Sequence, residues 1–132
     1  MALVSCFGGS VLCAFMILLV EDEDRARETF ARMLQRAGYG VLEAADGLQA
    51  MSLLEKTPCE LVISDILMPN LNGYALVARI RAKWPNLPII LTSGFLSQDA
   101  AQRMSGSVEF IPKPIDREAL IATVQRLVPR SS

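Results

Sequence analysis

Short apolar runs alternate along this chain with longer stretches in which apolar residues recur every three or four positions. Ile17 to Val20 is the first run, followed at once by Glu21-Asp22-Glu23-Asp24. A parallel strand buried on both faces has this character, and it delivers the next side chains to the sheet's carboxyl edge. From Asp24 to Ala37, Phe30, Met33, Leu34 and Ala37 fall at helical spacing with arginines between them, and Gly38 stops the pattern. Val41 to Ala44 predicts a second strand. A helix then opens near Asp46, with Leu48, Met51 and Leu54 on one face, and Pro58 ends it. Leu61 to Ser64 predicts a third strand ending at Asp65. The loop Met68-Pro69-Asn70-Leu71-Asn72-Gly73 leads to a helix with Leu76, Val77, Ile80 and Trp84 inward, closed by Pro85.

Pro88 to Thr92 and Val108 to Ile111 predict the fourth and fifth strands. Between them Ser97 to Ser105 predicts a weak helix, with Met104 its only large apolar residue. Asp116 caps a final helix whose Leu120, Ile121, Val124, Leu127 and Val128 form one stripe. Five alternations of strand and helix predict an α/β fold, a doubly wound parallel sheet with helices on both faces. Ligand sites in such sheets lie beyond the carboxyl ends of the strands. Those ends hold Glu21, Asp22, Asp65, Ser93 and Lys113.

A chain of 132 residues, 52% hydrophobic, is long enough for one core and no second domain. The division expected is an apolar leader over residues 1–15, one domain over 16–129 and a tail over 130–132. Val11 to Val20 is continuously apolar, but Gly8, Gly9 and Ser10 interrupt the leader and four acids end it. It lacks the basic start and cleavage site of a signal peptide and falls short of the roughly twenty apolar residues a spanning helix needs. No membrane segment is expected. The net charge of -1 and the absence of any basic run exclude an electrostatic pull toward nucleic acid. Cys6, Cys13 and Cys59 form no C-x-x-C pair and there is no His, so reduced thiols in a cytoplasmic protein are the simplest reading.

A carboxylate can accept a phosphoryl group only if the repulsion between two anions is neutralised, and a divalent cation is the usual means. Glu21 and Asp22 facing Asp65 offer the hard oxygen ligands that Mg²⁺ prefers. Each residue also has a plainer reading: a solvated acidic run at a helix start, a turn Asp, a loop hydroxyl, a lysine in a rigid Pro-Lys-Pro turn whose X-Pro bond suits the cis form. Convergence on one sheet edge favours the chemical reading.

The strings Ile17-Leu-Leu-Val-Glu-Asp-Glu, Ile63-Ser-Asp-Ile-Leu-Met-Pro-Asn-Leu-Asn-Gly73, Pro88-Ile-Ile-Leu-Thr-Ser-Gly94 and Lys113-Pro114 resemble the receiver domains of two-component signalling, over Met16 to about Val128. The resemblance implies the flavodoxin-like strand order 2-1-3-4-5 and a phosphoacceptor at Asp65. Glu21, Asp22, Asp65 and the backbone carbonyl of Leu67 would hold Mg²⁺, and Lys113 would ion-pair with Asp65 or its phosphate. Ser93 would be the hydroxyl that follows the phosphoryl group, with Thr92 the alternative, and Phe110 the aromatic that turns inward on activation. Glu-Asp replaces the commoner Asp-Asp pair, Asn72 replaces a frequent acid, and Met104-Ser-Gly-Ser-Val lacks the usual Gly-Ala stretch. The Ser-Gly-Phe and Pro-Lys-Pro-Ile details look most like receivers of hybrid histidine kinases.

The implied function is a phosphorelay switch, not an enzyme with a separate substrate, receiving phosphate from a histidine kinase or histidine phosphotransfer protein as a monomer or weak dimer. Kinase contact is expected through the first helix, whose Arg25, Arg27, Arg32 and Arg36 surround its apolar stripe. A phosphorylation-independent module on the same fold is one rival, against which the intact Asp65 and Lys113 argue. A phosphohydrolase with an aspartate nucleophile is the other, and it would need an acid where Leu67 stands. With Leu67 and Phe95 apolar, no side chain there can orient a hydrolytic water, so a long-lived acyl phosphate is expected.

Overall fold

A computed structural model of the chain describes residues 15–68, 71–93 and 108–129. The leader up to residue 14, Gly94 and Phe95, the helix expected over Ser97 to Ser105, and the tail lie outside the described residues. The strands are β1 (Met16–Val20), β2 (Gly40–Ala44), β3 (Leu61–Asp65), β4 (Ile89–Ser93) and β5 (Val108–Pro112). Around them lie α1 (Asp24–Arg36), α2 (Gly47–Lys56), α3 (Gly73–Lys83) and α4 (Arg117–Leu127). All strand pairs are parallel, in the order β2-β1-β3-β4-β5. This is the predicted doubly wound sheet.

Alternate residues of a strand point to opposite faces, and the core divides accordingly. Leu18, Val20, Val62, Ile89 and Leu91 pack with Ala50 and Leu54 of α2 and Leu76, Val77 and Ile80 of α3. Ile17, Leu19, Leu61, Ile63 and Ile90 pack on the other face with Ala31 and Leu34 of α1 and Leu120 and Val124 of α4. Because β1, β3 and β4 are covered on both sides, their residues read as unbroken apolar runs rather than as alternation. Gly38 takes a φ of 100° after α1, a conformation open to glycine, and turns the chain into β2. The Tyr39 hydroxyl then crosses the domain and donates to the carbonyl of Val128 at 2.9 Å, beyond the end of α4.

Several boundaries move by one residue: β2 begins at Gly40, β4 runs on to Ser93, and Asp65 closes β3 from inside the ladder. Leu48, expected on the inward face of α2, is instead 51% exposed. The inward place in that first turn belongs to Gly47, where an added Cβ would meet Leu71 Cβ at 2.8 Å. Gly47, Ala50 and Leu54 therefore make the buried stripe, and Leu48 is rotated off it. Asn72, read in the sequence as a loop residue standing where an acid is frequent, is the N-cap of α3, its side chain accepting from the Ala75 amide at 2.9 Å. Phe15, assigned to the leader, packs on the α1 and α4 face of the core, and its carbonyl accepts from the Gly40 amide at 2.8 Å. Among the described residues no helix is long and apolar enough to cross a membrane.

Candidate functional site

Parallel registry assembles the site without help from any long loop. Val20 pairs with Ser64 and Asp65 with Thr92, so the residues just past β1 and at the ends of β3 and β4 emerge side by side. The Glu21 amide continues the ladder by donating to Ala44 at 3.0 Å. Its carboxylate is buried, and Oε2 accepts from the Glu23 amide at 3.1 Å. Asp65 is buried too, and its Oδ1 accepts from the Leu67 amide at 3.2 Å. Asp22, on the loop between β1 and α1, is exposed to water.

One carboxylate oxygen from each of Glu21, Asp22 and Asp65 lies within 4.8 Å of the others. Lys113 enters from beyond β5 and donates to Asp65 Oδ2 at 2.7 Å, with its Nζ 3.7 Å from Glu21 Oε1. The Lys113-Pro114 peptide is cis, as its Pro-Lys-Pro setting suggested, and the Lys113 amide donates to the Ser93 carbonyl at 2.9 Å. The lysine is thus fastened to β4 by its backbone and to β3 by its side chain.

Electrostatics follow from this crowding. Burial pushes the Glu21 carboxyl above its ordinary range. The Glu23 amide and Lys113 oppose that shift, while the Asp65 charge and a hydrogen bond with Asp22 add to it. Burial would lower the Lys113 ammonium, but its hydrogen bond to Asp65 and the charges of Glu21 and Asp65 outweigh burial, so its pKa is raised. Lys113 thus remains charged at neutral pH. Three clustered carboxylates with one lysine leave an excess of negative charge, and all the side-chain ligands are oxygens, which suits a hard divalent cation.

Of the other predicted residues, Ser93 and Thr92 are both buried at the end of β4. Thr92 Oγ1 is turned into the sheet, 3.5 Å from the Ser64 carbonyl. Phe110 is half-buried against the α2 and α3 face of the core. Leu67 leaves its side chain 68% exposed beside Asp65. Two residues escaped the sequence reading. Gly73 lets α3 start directly under the phosphoacceptor candidate, for its added Cβ would lie 2.8 Å from both the Asp65 carbonyl and Ile66 Cα. Arg27, read as one of four surface arginines, folds back with its side chain only 16% exposed and donates to the Glu21 carbonyl at 2.7 Å. The available signal was its place one turn after the acid pair.

This fold is that of a known class. Residues 17–125 match the sequence profile of the response regulator receiver domain, and the chain belongs to that family. It is 35% identical over 116 residues to the sensor kinase CckA of Brucella abortus, covering 85% of this chain and 12% of that protein. It is 32% identical over 118 residues to the response regulator MprA of Mycobacterium sp. strain KMS, covering 88% of this chain and 51% of that protein. Among solved structures, the receiver domain of the hybrid histidine kinase CckA superimposes with a TM-score of 0.74 at 37% identity, over 86% of this chain and 98% of that one. The chemotaxis protein CheY4 of Vibrio cholerae gives a TM-score of 0.80 at 28% identity, over 88% of this chain and all (100%) of that one.

Proposed function

We propose that this receiver domain accepts a phosphoryl group on Asp65 from a phosphohistidine of a kinase or phosphotransfer protein. The observation that carries the reading is the contact of Lys113 with Asp65 at 2.7 Å within a cluster of carboxylates whose oxygens lie within 4.8 Å of one another. Glu21, Asp22, Asp65 and the Leu67 carbonyl would hold Mg²⁺, which when bound supplies positive charge against the repulsion between carboxylate and phosphoryl oxygens. An Asp65 oxygen attacks phosphorus in line with the P–N bond. The O–P bond forms as the P–N bond breaks, and the electron pair leaves on the imidazole nitrogen. Lys113, already charged and already paired with Asp65, transfers its hydrogen bond to the phosphoryl oxygens as charge develops on them.

Ser93 is the hydroxyl best placed to answer the new phosphate, because Thr92 Oγ1 is directed toward the β3 backbone. Phe110 would move with it, and the surface of β4, β5 and α4 would carry the change to a partner. Asp65 is consumed as the acceptor, so the domain acts as a switch and not as a catalyst for a separate substrate. A cytoplasmic setting, with the phosphate donor on the same side of the membrane, accords with the free thiol of Cys59.

The test is labelling by acetyl phosphate, read by intact mass. The parent protein should gain one phosphoryl group only when Mg²⁺ is present, and Asp65→Asn should gain none. Labelling of Asp65→Asn, or labelling of the parent in excess chelator, would remove Asp65 or the metal from the reading.

A further inference from the structure

Arg27 sits one turn into α1, where an arginine ordinarily faces water, yet its guanidinium is spread over three partners. Nη1 donates to the Glu21 carbonyl at 2.7 Å, Nη2 to Asp24 Oδ1 at 2.6 Å, and Nε lies 3.4 Å from Glu43 Oε1. These belong to the end of β1, the first turn of α1 and the body of β2. The planar fork of a guanidinium can hold such a set in one geometry, as a lysine's single nitrogen cannot.

The Glu21 carbonyl is the oxygen of the peptide that joins Glu21 to Asp22. The opposite side of Glu21 is already fixed, its amide donating to Ala44 at 3.0 Å. Arg27 therefore secures the other half of the short segment from which both acids project. Without it, two carboxylates crowded beside Asp65 would relieve their repulsion by turning that peptide toward water. Asp24 is 80% exposed and Glu43 40%, so the two ion pairs add little stability of their own. The carbonyl contact is the one with geometric consequence.

We propose that Arg27 is a positioning residue for the divalent cation: it fixes the Glu21-Asp22 peptide so that both carboxylates stay directed at Asp65. The inference rests on the phosphoacceptor reading given above. It makes a prediction opposite in sign to simple charge counting. Removing a cation from beside an acidic cluster deepens the negative potential, so Coulomb attraction alone makes Mg²⁺ bind more tightly to a neutral variant. Loss of positioning makes it bind more weakly.

Mg²⁺ binding to the full chain is measured by titration calorimetry, with melting temperature in chelator followed alongside. Arg27→Met should weaken Mg²⁺ binding by about five- to tenfold, within the range of one ordinary hydrogen bond. Arg27→Lys, which keeps the charge but loses the fork, should fall between the two. The double variant Asp24→Asn with Glu43→Gln removes the ion pairs and spares the carbonyl contact, and it should bind within about twofold of the parent. Equal or tighter binding by both Arg27 variants would overturn the proposal, and so would a loss in the double variant as large as that in Arg27→Met. Should Arg27→Met melt too low to titrate, Arg27→Lys decides alone: weaker binding at an unchanged melting temperature supports positioning, and unchanged binding refutes it. A parent protein that binds no Mg²⁺ would overturn the phosphoacceptor reading first, and the role of Arg27 with it, whereas a binding parent beside unaffected variants overturns Arg27 alone.

Discussion

Burying carboxylates is tolerable only where each keeps a compensating donor, and the site shows how closely that condition is met. Asp65 holds Lys113 on one oxygen and the Leu67 amide on the other, so Lys113→Met leaves a buried charge with half its support. Lys113 is 34% exposed, and discounted for that screening the loss should be on the order of 1–2 kcal/mol in metal-free protein. The same variant should bind Mg²⁺ at least as tightly as the parent, since a competing cation is gone, while labelling from acetyl phosphate slows. Chemical denaturation in chelator and calorimetry with metal separate these effects. Cys59 gives a second residue-scale test. Burial, with the nearby Glu60 charge, pushes its thiol from the ordinary 9.0 up to about 12. Below pH 9 both folded and unfolded thiols keep their protons. Between 9 and 12 the unfolded thiol loses its proton while the folded one keeps it, so stability falls as pH rises through that window. Cys59→Ala should lack this part of the decline, and alkylation of Cys59 at pH 8 should be far slower in folded than in unfolded protein.

At the level of elements, the close approach of α3 to the end of β3 is the tightest constraint on the site. The Gly73 amide donates to the Ile66 carbonyl at 2.8 Å, and any side chain at Gly73 meets backbone atoms that cannot swing away. Gly73→Ala should therefore cost about 1–3 kcal/mol, as overpacking does, and should slow phosphorylation by displacing Asp65. A variant with parent-like stability would show that α3 can shift freely. Such packing explains what the sequence disclosed and what it withheld. Apolar runs marked β1, β3 and β4 because both faces are covered, the acid pair and Asp65 were visible because they end two of those runs, and Lys113 was visible by its place between two prolines past β5. Strand ends slipped by a residue because the hydrogen-bond ladder of β4 continues past the last apolar side chain to Ser93. Leu48 was misplaced because spacing alone cannot tell which residue of a first turn faces inward. Here Leu71, from a different loop, decided it. Arg27 stayed hidden for the same reason, since its carbonyl partner belongs to the tertiary structure.

On the scale of the whole molecule, the two halves of the core lie on opposite faces of the sheet among the described residues, and the Tyr39 hydroxyl is a tie between the turn before β2 and the residue after α4. Tyr39→Phe leaves the Val128 carbonyl without that donor, in a setting where the ring itself is buried. It should lower stability by about 1–2 kcal/mol and should speed amide hydrogen exchange over the last turn of α4 more than over α1. Uniform acceleration across the domain would mean that the bond supports global stability alone. The position of this tie bears on how such a unit is carried. Matching segments make up 12% of a sensor kinase and 51% of MprA, so similar segments are carried within longer chains of different size. With the end of α4 held at Val128 by the Tyr39 hydroxyl, a displacement of that helix end would be felt at the turn into β2, an edge strand of the sheet.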